Sequence, residues 1–318
     1  MKQSRNFDWI QKNTAEMVDL WMYNFVRNSG DFLQGKSLKK LSIFKNKSIN
    51  PKKLKKSAIV IGAGPSIRNN NHLEFLANSK YKGAIVCTDR MLIPCLKNGI
   101  TPKKFPKFYV LGIEPKDITF GFYDDPIVKK FHKGIRVVLS TCTEHETVEI
   151  IKKNNLEIFW FHPLIDDYRK EGSINKIMNL MSKSKLNPSG FPGLQTGGNV
   201  GCFSWIFSWA ILGCSSIALT GIDLGHDVDT PLNKTRHYNE YKKIFQNNEK
   251  ELKKYFKIIK NPELKVKVLS DPIFDFYREA FLDLIVRSPK WVNTINCTEG
   301  GSMFGKRLKN STLSKFIK

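Results

Sequence analysis

The sequence predicts an α/β protein: a doubly wound, mostly parallel β-sheet with helices on both faces, preceded by an N-terminal helical extension. Two observations carry this. From residue 57 onward, short apolar runs alternate with amphipathic segments, the signature of strand–helix–strand units. Several of those runs end in a glycine turn or an acid, the positions where open parallel sheets bind ligands. Composition sets the outer bounds. The 318 residues are 41% hydrophobic and 12% aromatic, enough apolar material to offset the entropy of ordering. Ordinary Gly (21) and Pro (14) contents exclude collagen and low-complexity classes, and six Cys are too few for a disulfide-built fold.

Residues 1–35 read as helical, with Trp9, Met17, Leu20, Trp21, Asn24, Phe25 and Phe32 on one face. Residues 36–56 read as a basic linker, with nine Lys and no acid. Strands are predicted at Ala58–Ile61, Ala84–Thr88, Phe108–Gly112, Arg136–Ser140, Glu157–Phe161, Ile217–Thr220 and Lys265–Leu269, with a last short one near Val292–Cys297. Helical patterns fall between them at His72–Asn78, Met91–Asn98, Glu144–Asn154 and Asn239–Ile259. The main domain is placed at 57–308, and 309–318 is read as a C-terminal tail.

Lys and Arg number 52 against 29 Asp and Glu, a formal net charge of +23. The lysines are scattered, and no zinc-finger, RNP-type or basic-zipper pattern accompanies them, so nucleic acid is not expected as a partner. The 36–56 run would otherwise attract phosphate or an anionic membrane surface. None of the six cysteines forms a C-x-x-C pair; Cys87, Cys202 and Cys297 read as small buried hydrophobes in a reducing, cytoplasmic setting. Asp8, Glu16 and Asp19 within the first helical pattern argue against a signal peptide. Val200–Ile222 is uncharged and long enough to cross a bilayer, but Gly213-Cys214-Ser215-Ser216 interrupts it; a buried helix (about Asn199–Leu212) and a buried strand account for it, and no transmembrane segment is expected.

Candidate site residues follow the strands. Gly62-Ala63-Gly64-Pro65-Ser66 follows the first one: glycines permit positive φ and close approach of a ligand, while Pro65 and Ser66 suit a helix start that attracts phosphate. It is not a Walker loop, and it lacks the third glycine of a dinucleotide fingerprint, position 67 being Ile. A tight turn alone is the bland alternative. Asp89 and Glu114 end the second and third strands and are candidate metal ligands; the alternatives are a helix cap for Asp89 and a solvated acid for Glu114. Thr196, Gly197, Gly198 and Asn199 precede the buried helix and offer space and hydrogen bonds to a ligand, or else serve a close helix–sheet crossing. Asp223 follows Thr220-Gly221-Ile222, and with His237 it forms a candidate acid/base pair, against the ordinary reading of a loop histidine. Glu299, in Asn296-Cys297-Thr298-Glu299-Gly300-Gly301, faces a pocket or caps the next segment.

In order and spacing these motifs, together with the Asn98-Gly99-Ile100-Thr101-Pro102 turn, resemble the MptE-like domain of archaeal 6-hydroxymethylpterin diphosphokinases and bacterial motility accessory factors, over about residues 57–308. Glu114 stands where an Asp is usual in the family, and the extension carrying Trp21, Asn24 and Asn28 is closer to the accessory-factor style. The resemblance implies a Rossmann-like domain and a transferase using a nucleotide-activated donor. Its first implied chemistry is diphosphoryl transfer from ATP to a hydroxymethyl-dihydropterin with Mg²⁺: Gly62, Gly64, Pro65 and Ser66 would hold phosphates, and Asp89, Glu114 and Asp223 the ion. The alternative is transfer of a nonulosonic, sialic-like sugar from a CMP donor to a protein or glycan hydroxyl, with His237 or Asp223 as base. Outside enzymes, the remaining alternative is a non-catalytic nucleotide- or nucleic-acid-binding protein.

Overall fold

The computed structural model describes residues 17–45, 55–116 and 118–318. Trp9, with the rest of residues 1–16, and residues 46–54 of the basic run lie outside the described residues. The strands are β1 (Lys36–Ser37), β2 (Ser57–Ile61), β3 (Ala84–Thr88), β4 (Phe108–Gly112), β5 (Arg136–Ser140), β6 (Glu157–Pro163), β7 (Gly193–Leu194), β8 (Ser216–Thr220), β9 (Lys257–Asn261), β10 (Val266–Ser270), β11 (Asn293–Asn296) and β12 (Leu308–Asn310). Ten of them form one sheet in the order β1-β6-β5-β4-β3-β2-β8-β11-β12, with β7 beside β6. Every pairing in it is parallel.

The central strands are apolar throughout because both faces are covered. Side chains alternate across the sheet. Ile59, Ile61, Ile85 and Cys87 enter one core with Phe25, Leu92 and Val148. Ala58, Val60, Ala84 and Val86 enter the other, against Phe203, Trp205 and Phe207 of the helix Val200–Ala210. That helix is the predicted uncharged segment. Gly213 (φ +66) ends its turn, and β8 follows, so its apolarity serves the core. No helix among the described residues is long and apolar enough to cross a membrane. All six cysteines are buried free thiols.

The extension is a docked element. Residues 17–27 and Ser29–Gln34 are helical, and Phe25 and Phe32 are buried. Two fully buried asparagines fasten the extension to the loops after β4 and β5. Asn24 Nδ2 donates to Pro115 O (2.8 Å). Asn28 Nδ2 donates to Thr143 O (2.7 Å) and Thr141 O (3.2 Å), and its Oδ1 meets His145 Nδ1 at 2.8 Å. Asn28→Ala leaves these groups without partners at a cost of about 1–3 kcal/mol. A fall of several degrees in melting temperature is expected, and an unchanged one would show that the extension is held by other contacts.

Four expectations are corrected. Residues 36–45 do not behave as a linker: Lys36 and Ser37 pair with Phe159 and Trp160 of β6, and Leu38 is fully buried. The helix predicted at Asn239–Ile259 is instead two short helices, Tyr238–Ile244 and Glu249–Lys253, followed by β9. The break falls at Gln246 and Asn247, both with positive φ. The strand predicted at Lys265–Leu269 is β10, which leaves the main sheet to pair antiparallel with β9; Lys265, at φ +57, makes the turn between them. Residues 309–318 are no tail either. Lys309 and Asn310 belong to β12, and Leu313 of the helix Leu313–Ile317 is buried in the core.

Candidate active site

The strand order reverses between β2 and β8. β3 lies on one side of β2, and β8, reached only after the chain has crossed the sheet, lies on the other. Chains leaving such neighbours part in opposite directions and open a crevice at their carboxyl ends. The Gly62–Ser66 turn follows β2, and Gly221-Ile222-Asp223 follows β8.

These two turns lie directly on one another. Gly62 N donates to Thr220 O (2.8 Å) and Gly64 N to Gly221 O (2.9 Å). A Cβ on Gly62 would strike Gly221 O; one on Gly64 would lie 2.6 Å from Asp223 Cγ and 2.8 Å from Gly221 O. The expectation of positive φ in the first turn is corrected. Gly62 and Gly64 lie outside the left-handed region, and close approach alone requires glycine there; the left-handed residue is Gly221, at φ +65.

Asp223 is buried beneath this contact. Its Oδ2 accepts from Ser66 Oγ (2.8 Å) and its Oδ1 from Ser66 N (3.3 Å). Burial pushes its carboxyl up to about 7, against the Ser66 donors that favour the anion. Asp89, equally buried at the end of β3, accepts from Arg90 N (2.7 Å) and is also raised to about 7, by burial and then by the neighbouring Glu114. Burial raises Glu114 as well.

A cleft of about 730 Å³ opens over these groups. It brings together Gly62, Gly64, Pro65, Asp89, Glu114, Gly198, Asn199, Asp223 and His237 from the predicted set. Ser66 does not line it, because its hydroxyl and amide face Asp223. Thr196 and Gly197 do not line it either; Gly197, at φ +63, packs where a Cβ would meet Cys202. Asn199 reaches the wall, but its Oδ1 caps the helix Val200–Ala210 through Cys202 N (2.8 Å). Glu299 lies in a separate depression, where Oε1 meets His72 Nε2 (3.2 Å) and accepts from Leu313 N (3.0 Å).

The expected partnership of Asp223 with His237 is not formed. His237 Nδ1 meets Asp271 Oδ2 at 3.0 Å. Asp271 is fully buried at the start of the helix Pro272–Arg287, where Oδ1 accepts from Ile273 N (2.9 Å), Phe274 N (3.0 Å) and the Tyr241 hydroxyl (3.1 Å). Burial works against its ionisation, but the hydrogen bond and charge of His237, with the Phe274 amide and Tyr241, outweigh it and hold the carboxyl below its usual range. A carboxylate on Nδ1 selects the tautomer that leaves the Nε2 lone pair for a ligand. Sequence motifs do not mark Asp271 as a site residue; its local signal is Asp271-Pro272, an N-cap followed by a proline at a helix start.

Arg68, Arg90, Lys234 and Arg236 ring the cleft. Among the described residues none of the four is within 4.0 Å of a carboxylate oxygen, while ten Lys or Arg pairs with carboxylates form elsewhere. Unpaired cations converging on a concave surface suit an anionic ligand. The metal set is less convergent than predicted. Asp89, Glu114 and Asp223 share the cleft, but among the described residues the trio of acid and histidine groups with ligand atoms within 4.8 Å of one another is Asp31, His145 and Glu149. There the Lys152 ammonium already binds Asp31 (2.6 Å) and Glu149 (2.8 Å). The three cleft carboxylates therefore do not fit as joint ligands of a single Mg²⁺.

The raised carboxyls make stability depend on pH. Asp89 and Asp223 ionise near 3.8 when unfolded and near 7 when folded. Between these values the native state holds protons that the unfolded chain has lost, so each group's contribution falls as pH rises and is fully lost above about 7. The upper bound is about 4 kcal/mol per group. His162, buried and lowered to about 4, contributes the opposite slope below 6.5, so a variant isolates the effect. The melting temperature of Asp89→Asn, relative to the wild type, is expected to climb between pH 5 and pH 8; a pH-independent difference would refute the raised value.

Fold and cleft together define a doubly wound α/β protein with a crevice ringed by cations at its topological switch point. The family model described as "6-hydroxymethylpterin diphosphokinase MptE-like" matches residues 23–229, and the chain belongs to the MptE-like family. No curated protein matches it. Among solved structures, it is similar to the MAf glycosyltransferase from Magnetospirillum magneticum AMB-1, with a TM-score of 0.54 and 15% identity over 83% of this chain. The match covers 34% of that protein, so this chain spans about a third of its length. At that identity the likeness shows the shared fold. It also extends the match beyond the family segment, which ends at residue 229.

Proposed function

We propose that the chain is a transferase that passes a sugar from a CMP-activated donor to an acceptor hydroxyl. The observation that carries this is the His237–Asp271 pair, set in the same cleft as the glycine turn and the unpaired cations. In this reading the donor's phosphate lies over Gly62–Pro65, within reach of Arg90 and Arg236. His237 Nε2 takes the proton as the acceptor oxygen bonds to the sugar's anomeric carbon. The bond from that carbon to phosphate breaks, and CMP leaves as an anion facing the arginines. Asp271 offsets the imidazolium charge that forms. No step requires a metal. The fold shared with a glycosyltransferase supports this reading.

Diphosphoryl transfer from ATP to a hydroxymethyl-dihydropterin is the second reading. It is favoured by the family's description and by the proximity of Asp89 to Glu114. Thermal shifts separate the two. CMP at about 100 times its Kd should stabilise the fold by about 2.7 kcal/mol. Stabilisation by CMP or a CMP-sugar, with none from ATP–Mg²⁺ and pterin, is the expected result. Stabilisation by ATP–Mg²⁺ and pterin alone would discard the sugar reading.

A further inference from the structure

The helix Ile174–Met181 turns the wrong face to solvent. Its buried side holds Asn175 and Met178, while Ile177, Leu180 and Met181 are 47%, 66% and 53% exposed. These three occupy i, i+3 and i+4, one stripe of a helix. Leu186, 62% exposed, follows in the next turn. Isolated exposed apolar residues need no explanation, but a grouped set does.

From Gly172 onward the charge along this segment is of one sign. Lys176, Lys183 and Lys185 are exposed, and no acid occurs from Gly172 to Ile222. The nearest preceding acid is the exposed Glu171; further back, Asp166 accepts from Ser173 Oγ (2.8 Å) and Ile174 N (2.6 Å), and Asp167 pairs with Arg169. The described start of the basic run, at Lys39, joins this surface. Asn187 Nδ2 donates to Gly35 O (3.1 Å), and Lys39 Nζ donates to Ser189 Oγ (2.7 Å).

We propose that this surface docks the protein on an anionic lipid bilayer, with Ile177, Leu180, Met181 and Leu186 entering the interface and the lysines meeting lipid phosphates. Apolar side chains inside a lysine rim are the composition of a helix lying in a membrane surface. A second copy of the chain would bring one lysine rim against another. A nucleic acid would use the lysines but leave the leucines in water. The segment leaves β6 at the carboxyl end of the sheet, the end on which the cleft opens, so docking holds the transfer site near membrane-borne acceptors.

The test is co-sedimentation of the full chain with vesicles of phosphatidylcholine alone or mixed with phosphatidylglycerol. Binding to the mixed vesicles and not to the neutral ones is expected. Leu180→Ser/Leu186→Ser should weaken it at least about tenfold. Lys183→Gln/Lys185→Gln should weaken it on the order of 10-fold at low salt. Both variants change exposed side chains outside the cleft, so an unaltered melting temperature checks their folding. Equal binding to both vesicle types, or unweakened binding by both variants, overturns the proposal. So does a wild-type dimer in sedimentation that Leu180→Ser/Leu186→Ser converts to monomer, which would assign the face to self-association. None of these outcomes bears on the donor reading, which is tested by the nucleotide shifts.

Discussion

His237→Gln is expected to slow turnover about 10²- to 10⁴-fold, the range over which a positioned general base contributes, with little change in donor affinity. Glutamine keeps much of the side chain's bulk but has no basic nitrogen. The Nδ1 link to Asp271 holds the ring, which packs 4.7 Å from Phe274. Initial rates at saturating CMP-sugar are the measurement. Asp271→Asn retains an oxygen for the Ile273 and Phe274 amides but no longer selects the reactive tautomer, so it should lower kcat with donor KM unchanged. Activity of His237→Gln within about fivefold of wild type, when at least a hundredfold loss is due, would remove His237 from the chemistry.

Gly64→Val is expected to abolish donor binding and also to lower stability. The added Cβ would lie 2.8 Å from Gly221 O, and a backbone atom cannot rotate away. It would also displace the Asp223 carboxylate, which Ser66 holds in place. Overpacking of this kind costs about 1–3 kcal/mol, several degrees of melting temperature for a domain of this size. From the sequence the turn reads as a phosphate grip whose loss spares the fold; the packed turns add the stability cost. The checks are the melting temperature and the CMP-induced shift on the same sample. A full CMP shift in Gly64→Val would refute the turn's assignment to the donor.

The strands were the most legible part of the chain. Ile85-Val86-Cys87 and Ile217-Ala218-Leu219 are apolar because both faces of the sheet are covered, and burial on both sides writes itself into composition. β9 was harder. It sits outside the main sheet, Ile258 is 45% exposed, and its Lys257-Ile258-Ile259-Lys260 run fits an amphipathic helix about as well as a strand. The predicted site residues were found wherever they end a strand next to the reversal, as with Gly62, Gly64, Asp89 and Asp223. Glu299 also follows a strand, β11, but its side chain turns to His72 at the start of the helix His72–Ala77. Arg68, Lys234 and Tyr277 were not singled out, because a single cation or tyrosine in a lysine-rich chain carries no local signal.

Local sequence by itself determined the central strands β2 to β6 and β8, that their sheet is parallel, and that glycine turns and acids gather at its carboxyl edge. Burial and backbone sterics act residue by residue, so they leave marks that can be read along the chain. Only the tertiary structure decided that β8 lies beside β2, that Gly64 is required by Asp223 and Gly221, and that the partner of His237 is Asp271, 34 positions away, rather than Asp223. These pairings depend on the order in which strands assemble and on where a helix start comes to rest, and neither is encoded in the composition of any one segment.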